Sequence, residues 1–226
     1  MKLHKVVYFL IAAILISACV KNNESLPQPP HYPISDEFRL YAAFDTNSYW
    51  IFQEAETGIV DTLRVVSVTT ERRFHRDNTT DETGFHYDAM NISFESDELG
   101  IVRYEITAGN QESDAIMMYE SLRTYFSSGR YFRILMPWFA NGDTQLLGEQ
   151  EGNYTNLERI ESYALNDRSY EEVFHTSVVD YLNAPDTVYM EFFIARHYGL
   201  IRYTANRPDT SIDWSLKDAV VHIVEE

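Results

Sequence analysis

Met90-Asn91-Ile92-Ser93-Phe94-Glu95, followed after a short turn by Gly100-Ile101-Val102-Arg103-Tyr104-Glu105-Ile106, decides the fold. In both runs apolar and polar residues alternate, the period of a strand with one face buried and one solvated. A glycine at the start of the second run fits a turn or bulge position that requires positive φ. The pair therefore reads as an antiparallel hairpin.

Outward from this hairpin the same chemistry recurs. Ile59 to Thr69, Tyr131 to Met136, Val173 to Val179, Val188 to Ile194 and Ala219 to Val224 are rich in β-branched or aromatic residues and read as strands. Asp77-Asn78, Asn141-Gly142-Asp143 and Gly148 to Asn153 supply turns. Ser113 to Phe126 fits two templates: Met118, Leu122 and Tyr125 lie at helical spacing, yet its tyrosines suit a strand. The expected fold is mainly β, antiparallel sheet built from meandering hairpins, with at most a short helix.

The opening motif has an echo. Gly100-Ile101-Val102-Arg103-Tyr104 returns as Gly199-Leu200-Ile201-Arg202-Tyr203, again after a strand-like run. Two readings stand: tandem halves, 36–110 and 111–226, or one hairpin solution used twice. In either, the arginine faces solvent while the aliphatic residue and tyrosine pack inward.

The N-terminus has a different character. Lys2 and Lys5 precede an unbroken apolar run, Val6 to Ile16, too short to span a bilayer core of ~30 Å. The run has the length of a signal-peptide core, so residues 1–18 are set apart from the fold. Ile16-Ser17-Ala18-Cys19 follows, ending in the chain's single cysteine. This sequence resembles the lipobox of bacterial lipoproteins. The resemblance implies cleavage between Ala18 and Cys19 and lipidation of Cys19, with two or three acyl chains giving a durable anchor. Residues 19–35 hold Pro27, Pro29, Pro30 and Pro33 and read as an extended tether, leaving 36–226 as the β-rich domain.

Composition narrows the function. The 226 residues carry 18 Lys+Arg against 35 Asp+Glu, a formal charge of −17. Cleavage would remove Lys2 and Lys5, leaving 16 basic against 35 acidic residues, or −19. Such a chain offers no counterion-releasing patch for nucleic acid and is repelled by anionic headgroups. With one cysteine, neither a disulfide framework nor a cysteine-based zinc site can form.

Ser48-Tyr49-Trp50-Ile51-Phe52-Gln53, a turn at Gly58, and Asp61-Thr62-Leu63-Arg64-Val65 resemble the opening aromatic hairpin of cell-envelope lipoproteins from Bacteroidota. Gly199 to Tyr203 and Trp214-Ser215-Leu216 are similar to the closing strands of those chains. The resemblance implies a β-rich lipoprotein of the outer membrane, on its periplasmic or its outer face. It carries no activity with it. Asp61-Thr62-Leu63 and Asp186-Thr187-Val188 also resemble the Asp-Thr-aliphatic acceptor of O-glycosylation in that phylum, which marks Thr62 and Thr187 as candidate sites.

Chemistry is otherwise sparse. Seven histidines are scattered, and His86 with Asp88 is the nearest approach to a metal pair. Asp77 to Asp88 is acidic but lacks the spacing of a calcium loop. Glu171-Glu172 are adjacent, so in a strand they point to opposite faces and make no carboxylate dyad. No nucleophile elbow or phosphate loop appears. Catalytic residues, metal and cofactor are all expected to be none. The expected role is a non-enzymatic envelope lipoprotein that binds a protein partner or small ligand, or supports an assembly. The alternative is a glycan-handling accessory protein or hydrolase, which a cleft flanked by carboxylates would favour.

Overall fold

Alternation turns into strand wherever one face of the chain can be covered. A computed structural model describes residues 28–76, 84–108, 120–129, 131–135, 143–146, 153–180, 188–206 and 210–224. His31–Glu226 is one compact unit. Its elements are β1 (His31–Tyr32), α1 (Asp36–Ala42), β2 (Tyr49–Glu54), β3 (Val60–Arg76), β4 (Gly84–Glu95), β5 (Ile101–Thr107) and β6 (Ser121–Phe126). After them come β7 (Tyr131–Leu135), β8 (Asp143–Leu146), β9 (Asn153–Leu165), β10 (Arg168–Asp180), β11 (Val188–Ala195), β12 (Gly199–Asn206) and β13 (Ser211–Val220).

The strands form one sheet, ordered β7-β6-β5-β4-β3-β2-β13-β12-β11-β10-β9-β8. Every ladder along this order is antiparallel, and β1 lies off the path, parallel to β4. The fold is mainly β with one short helix. Hairpins join neighbours throughout, except that β13 comes back to pair with β2.

The sheet curls over its own apolar face. Phe126 on β6 and Tyr203 on β12, with five strands between them in the order, approach to 5.9 Å between ring centres. Tyr203 also stacks on Phe192 at 5.3 Å. Further along, Phe44, Trp50, Phe94 and Tyr104 form a chain of edge-to-face contacts at 4.8, 6.1 and 4.6 Å. The aromatics that crowd this sequence are largely packing residues.

α1 belongs to that core. Ser35 caps it, its hydroxyl accepting from the Phe38 N–H at 3.2 Å, and Asp36 and Glu37 occupy the first turn. Seven residues cannot hold a helix on hydrogen bonds alone. Burial does so: Phe38, Tyr41 and Ala42 are all enclosed, and each large side chain contributes roughly 1.5–3 kcal/mol. Ahead of α1, His31–Ser35 belongs to the folded domain, although the sequence suggests a tether as far as 35. His31 and Tyr32 are in register with His86 and Tyr87 of β4, Ile34 is buried, and both groups of Ser35 bond to Glu120.

The two echoed motifs are structurally equivalent hairpins. Ile92 faces Tyr104 and Ser93 faces Arg103; Phe192 faces Tyr203 and Phe193 faces Arg202. Gly100 and Gly199 both have positive φ, 75° and 69°. One expectation fails: a register shift lies beside the aliphatic residue in each copy, and Val102 is 38% exposed whereas Ile201 is fully buried. β5 and β6, which flank position 110 in the chain, pair within the one sheet.

Strand ends differ from the sequence reading at several places: β3 runs past Thr69 to Arg76, β10 begins at Arg168 ahead of Val173, and Asp143 and Asn153, read as turn residues, open β8 and β9. Ser121–Phe126 is strand β6, and the rest of the ambiguous segment, 113–119, lies outside the described residues. β13 stops at Val220, and beyond it Ile223 forms an isolated bridge to Phe44.

Candidate functional site

Two chain reversals and one buried helix build a polar cleft. The β9–β10 hairpin turns at Asn166-Asp167, with Asn166 at φ 55°, as a tight two-residue turn requires. The Asn166 side-chain amide donates to the Leu216 carbonyl at 2.8 Å, and Arg168 pairs with Asp218 at 2.8 Å, so the hairpin is tied to β13. The second reversal, Arg196-His197-Tyr198, joins β11 to β12. His197 sits at φ 64° with its N–H on the Leu40 carbonyl of α1 at 2.7 Å. The Trp50 indole donates to the Tyr198 carbonyl at 2.6 Å. Core helix and core tryptophan thus fix the turn.

Between these reversals opens a cleft of about 1060 Å³. Arg159, Glu161 and Ser162 line it from β9, Ser169, Glu171 and Glu172 from β10, and Arg196 to Tyr198 from the turn. Glu172 is the pivot. Its two carboxylate oxygens accept separately, from Arg159 at 2.7 Å and from Arg196 at 2.5 Å, and Glu37 of α1 lies 3.8 Å from Arg196. The Arg196 hydrogen bond holds the Glu172 carboxyl below the usual range. Its backbone is left-handed, φ 50°, in the middle of a strand, where a non-glycine residue is strained.

Two buried polar atoms here have no hydrogen-bond partner among the described residues: the Tyr41 hydroxyl and Nε of Arg196. Tyr41 is 1% exposed and packs edge-on against Phe174 at 5.1 Å. Burial, reinforced by the negative charge of Glu172, pushes its hydroxyl up to about 12. Native interiors leave few such atoms unsatisfied.

Other charged groups have structural employment. Glu105 is enclosed by Arg73 at 2.6 Å, Arg123 at 3.1 Å and the Tyr125 hydroxyl at 2.8 Å. Burial pushes its carboxyl up, but these partners outweigh it and the net direction is down. The echoed arginines do similar work: Arg103 lies 3.9 Å over the Tyr125 ring, and Arg202 grips Asp213 with two bonds of 2.9 and 2.7 Å. Asp61 accepts from the Leu99 N–H and the Ser96 hydroxyl, each at 2.7 Å, and from the Glu98 N–H at 3.1 Å.

The residues marked from sequence scatter. Ala18, Cys19 and Thr187 lie outside the described residues. Thr62 is a half-buried β3 residue beside the engaged Asp61. Asp88 bonds to His31 at 2.8 Å, while His86 packs on Phe74 with ring centres 4.9 Å apart. Of the Asp77 to Asp88 segment, 77–83 lies outside the described residues. Among the described residues no group of His, Cys, Asp and Glu is placed to hold a metal ion, and no helix is long and apolar enough to cross a membrane. Glu171 and Glu172, read as pointing apart, both line the cleft.

No protein-family model and no curated protein matches the chain. Among solved structures, the chain is similar to one from Parabacteroides distasonis, provisionally described as that of a lipoprotein. Identity is 9%, TM-score 0.32, and the alignment covers 79% of this chain and 99% of the other.

Proposed function

We propose that this protein is a lipid-anchored envelope protein of the outer membrane, held through Cys19, whose sheet domain binds a ligand or partner without transforming it. The cleft carries the binding half of this reading. Its floor is held rigid by α1 and Trp50, and its central carboxylate is already neutralised by two arginines. A group locked between two cations is poorly suited to exchange protons and well suited to fix the geometry of a site. Ile16-Ser17-Ala18-Cys19 supports the anchoring half.

The anchor is tested by expressing wild type and Cys19→Ala in a host that lipidates exported proteins, with radiolabelled palmitate and membrane fractionation. Wild type should take up label and sediment with outer membrane; Cys19→Ala should be unlabelled and soluble. Retention of the variant in the membrane would refute the anchor.

The carboxylate-flanked cleft favours the second reading as well, a glycan-handling protein, in which the same walls hold sugar. O-glycosylation at Thr62 and Thr187 remains part of the proposal. An intact mass equal to polypeptide plus lipid would exclude it.

A further inference from the structure

The walls of the cleft demand a particular kind of ligand. Glu161 and Glu171 offer only acceptors when ionised, whereas the guanidinium of Arg196, its side chain 34% exposed, offers only donors. Ser162 and Ser169, their hydroxyls 2.8 Å apart, can do either. Acceptors and donors are interleaved, so a ligand that only accepts or only donates leaves half of the wall unpaired, at the full cost of desolvation. A hydroxyl group does both.

Charge narrows the choice. Arg159 and Arg196 face Glu161, Glu171 and Glu172, an excess of one negative charge, and Glu37 stands behind Arg196. The position between the two guanidinium groups, where a phosphate or carboxylate would sit, is filled by the protein's own Glu172. An incoming anion must displace it against the remaining carboxylates. An incoming cation must share the cleft with two arginines. Neutral ligands meet neither obstacle.

Size and shape agree. Pockets of ~300–1,000 Å³ enclose drug-sized ligands, and this cleft of about 1060 Å³ has room for more than one sugar ring. Tyr198 lines one side and is braced edge-on by Tyr170 at 5.0 Å, which gives an apolar surface beside the polar walls. The left-handed backbones of Glu172 and His197 flank the cleft on opposite elements, strain of the sort that accumulates at binding sites.

We infer that the cleft binds a neutral polyhydroxylated ligand, a short stretch of uncharged glycan, with Glu171 and Arg196 as its principal hydrogen-bonding residues. This inference rests on the reading of the cleft as a binding site.

Isothermal titration of the full-length protein in detergent tests it, with maltohexaose, xylohexaose, cellohexaose and chitin hexaose as neutral probes and hexagalacturonic acid as the anionic one. The variants are Glu171→Gln, which keeps the shape and removes the charge, and Arg196→Lys, which keeps the ion pair and removes the planar guanidinium. Thermal melts confirm that each folds, and if Arg196→Lys does not, Glu171→Gln carries the test alone. Binding of a neutral hexaose that weakens at least about tenfold in the variants is the expected result. Neutral binding that neither variant changes would overturn both the inference and the cleft as binding site. Binding of hexagalacturonic acid alone, lost in Arg196→Lys, would keep the site and overturn the neutral ligand. No heat with any probe would overturn both.

Discussion

The ring of Phe44 occupies the space in which Gly199 would carry a side chain: a methyl there would lie 2.5 Å from Cζ and 2.7 Å from Cε2. Gly199 opens β12 immediately after the turn that lines the cleft, and Phe44 lies just beyond the end of α1. Helix, turn and glycine are therefore one mechanical unit.

Its counterpart Gly100 has the same left-handed backbone, yet a methyl there would meet nothing closer than the Ser127 hydroxyl at 3.3 Å. Gly100→Ala should cost about 1 kcal/mol, the backbone penalty alone. Gly199→Ala adds a clash with a buried ring and should cost roughly 2–4 kcal/mol. Urea denaturation of both variants measures the difference, and equal costs would contradict the packing described.

Tyr41→Phe should be neutral or stabilising by about 1 kcal/mol, because the hydroxyl it removes is buried without a partner. Differential scanning calorimetry at neutral pH reads this directly. A loss of more than about 1 kcal/mol would mean that the hydroxyl is bonded after all.

Acid should loosen the turn at Ser96 to Leu99. Burial pushes the Asp61 carboxyl up, but bonds from Leu99, Ser96, Glu98 and Asp97 outweigh it and the net direction is down. Glu54 is held at about 2, chiefly by the Thr57 N–H and hydroxyl. A carboxylate with a depressed folded pKa stabilises above its unfolded value, and that stability is lost as pH falls through the folded one. Asp61→Asn should cost about 1–3 kcal/mol at pH 7 and flatten the acid limb of a stability–pH curve. An unchanged acid limb would count against the assignment.

Glu120 has the opposite sign. Burial raises its carboxyl despite the bonds of 2.5 and 2.6 Å from the Ser35 N–H and hydroxyl. Its contribution is complete below the unfolded pKa and is lost as pH rises through the folded one. Glu120→Gln keeps an acceptor for Ser35 without the buried charge, so it should melt above wild type at pH 8 and no higher at pH 4. A variant that melts lower at pH 8 would refute the sign.

The sheet was readable in the sequence because one face of each strand is buried, and alternation records that directly at β4 and β5. The hairpin of Tyr49 to Glu54 with Val60 onward was equally visible. α1 was not: Ser35-Asp36-Glu37 carries a capping signal, but seven residues are too few to show a period. The cleft was hidden for a different reason. Glu171 and Glu172 should point to opposite faces, and they share a cleft because Glu172 adopts a left-handed backbone. Glutamate gives no warning of positive φ as glycine does. The unsatisfied atoms of Tyr41 and Arg196 depend on what tertiary packing places around them, which no local pattern encodes.

The return of β13 to β2 has a consequence for synthesis. Every other ladder along the sheet joins strands that are neighbours in the chain and can zip as soon as both have emerged. β2, with Trp50 and Phe52 on its buried face, must wait for Trp214 and Leu216 at the far end of the polypeptide. Until then it is an open, apolar edge, the kind that pairs with whatever strand it meets. A chain emerging N-terminus first from the ribosome exposes that edge for nearly the whole of its synthesis, so keeping it sequestered is a task for the cell before it is a property of the fold.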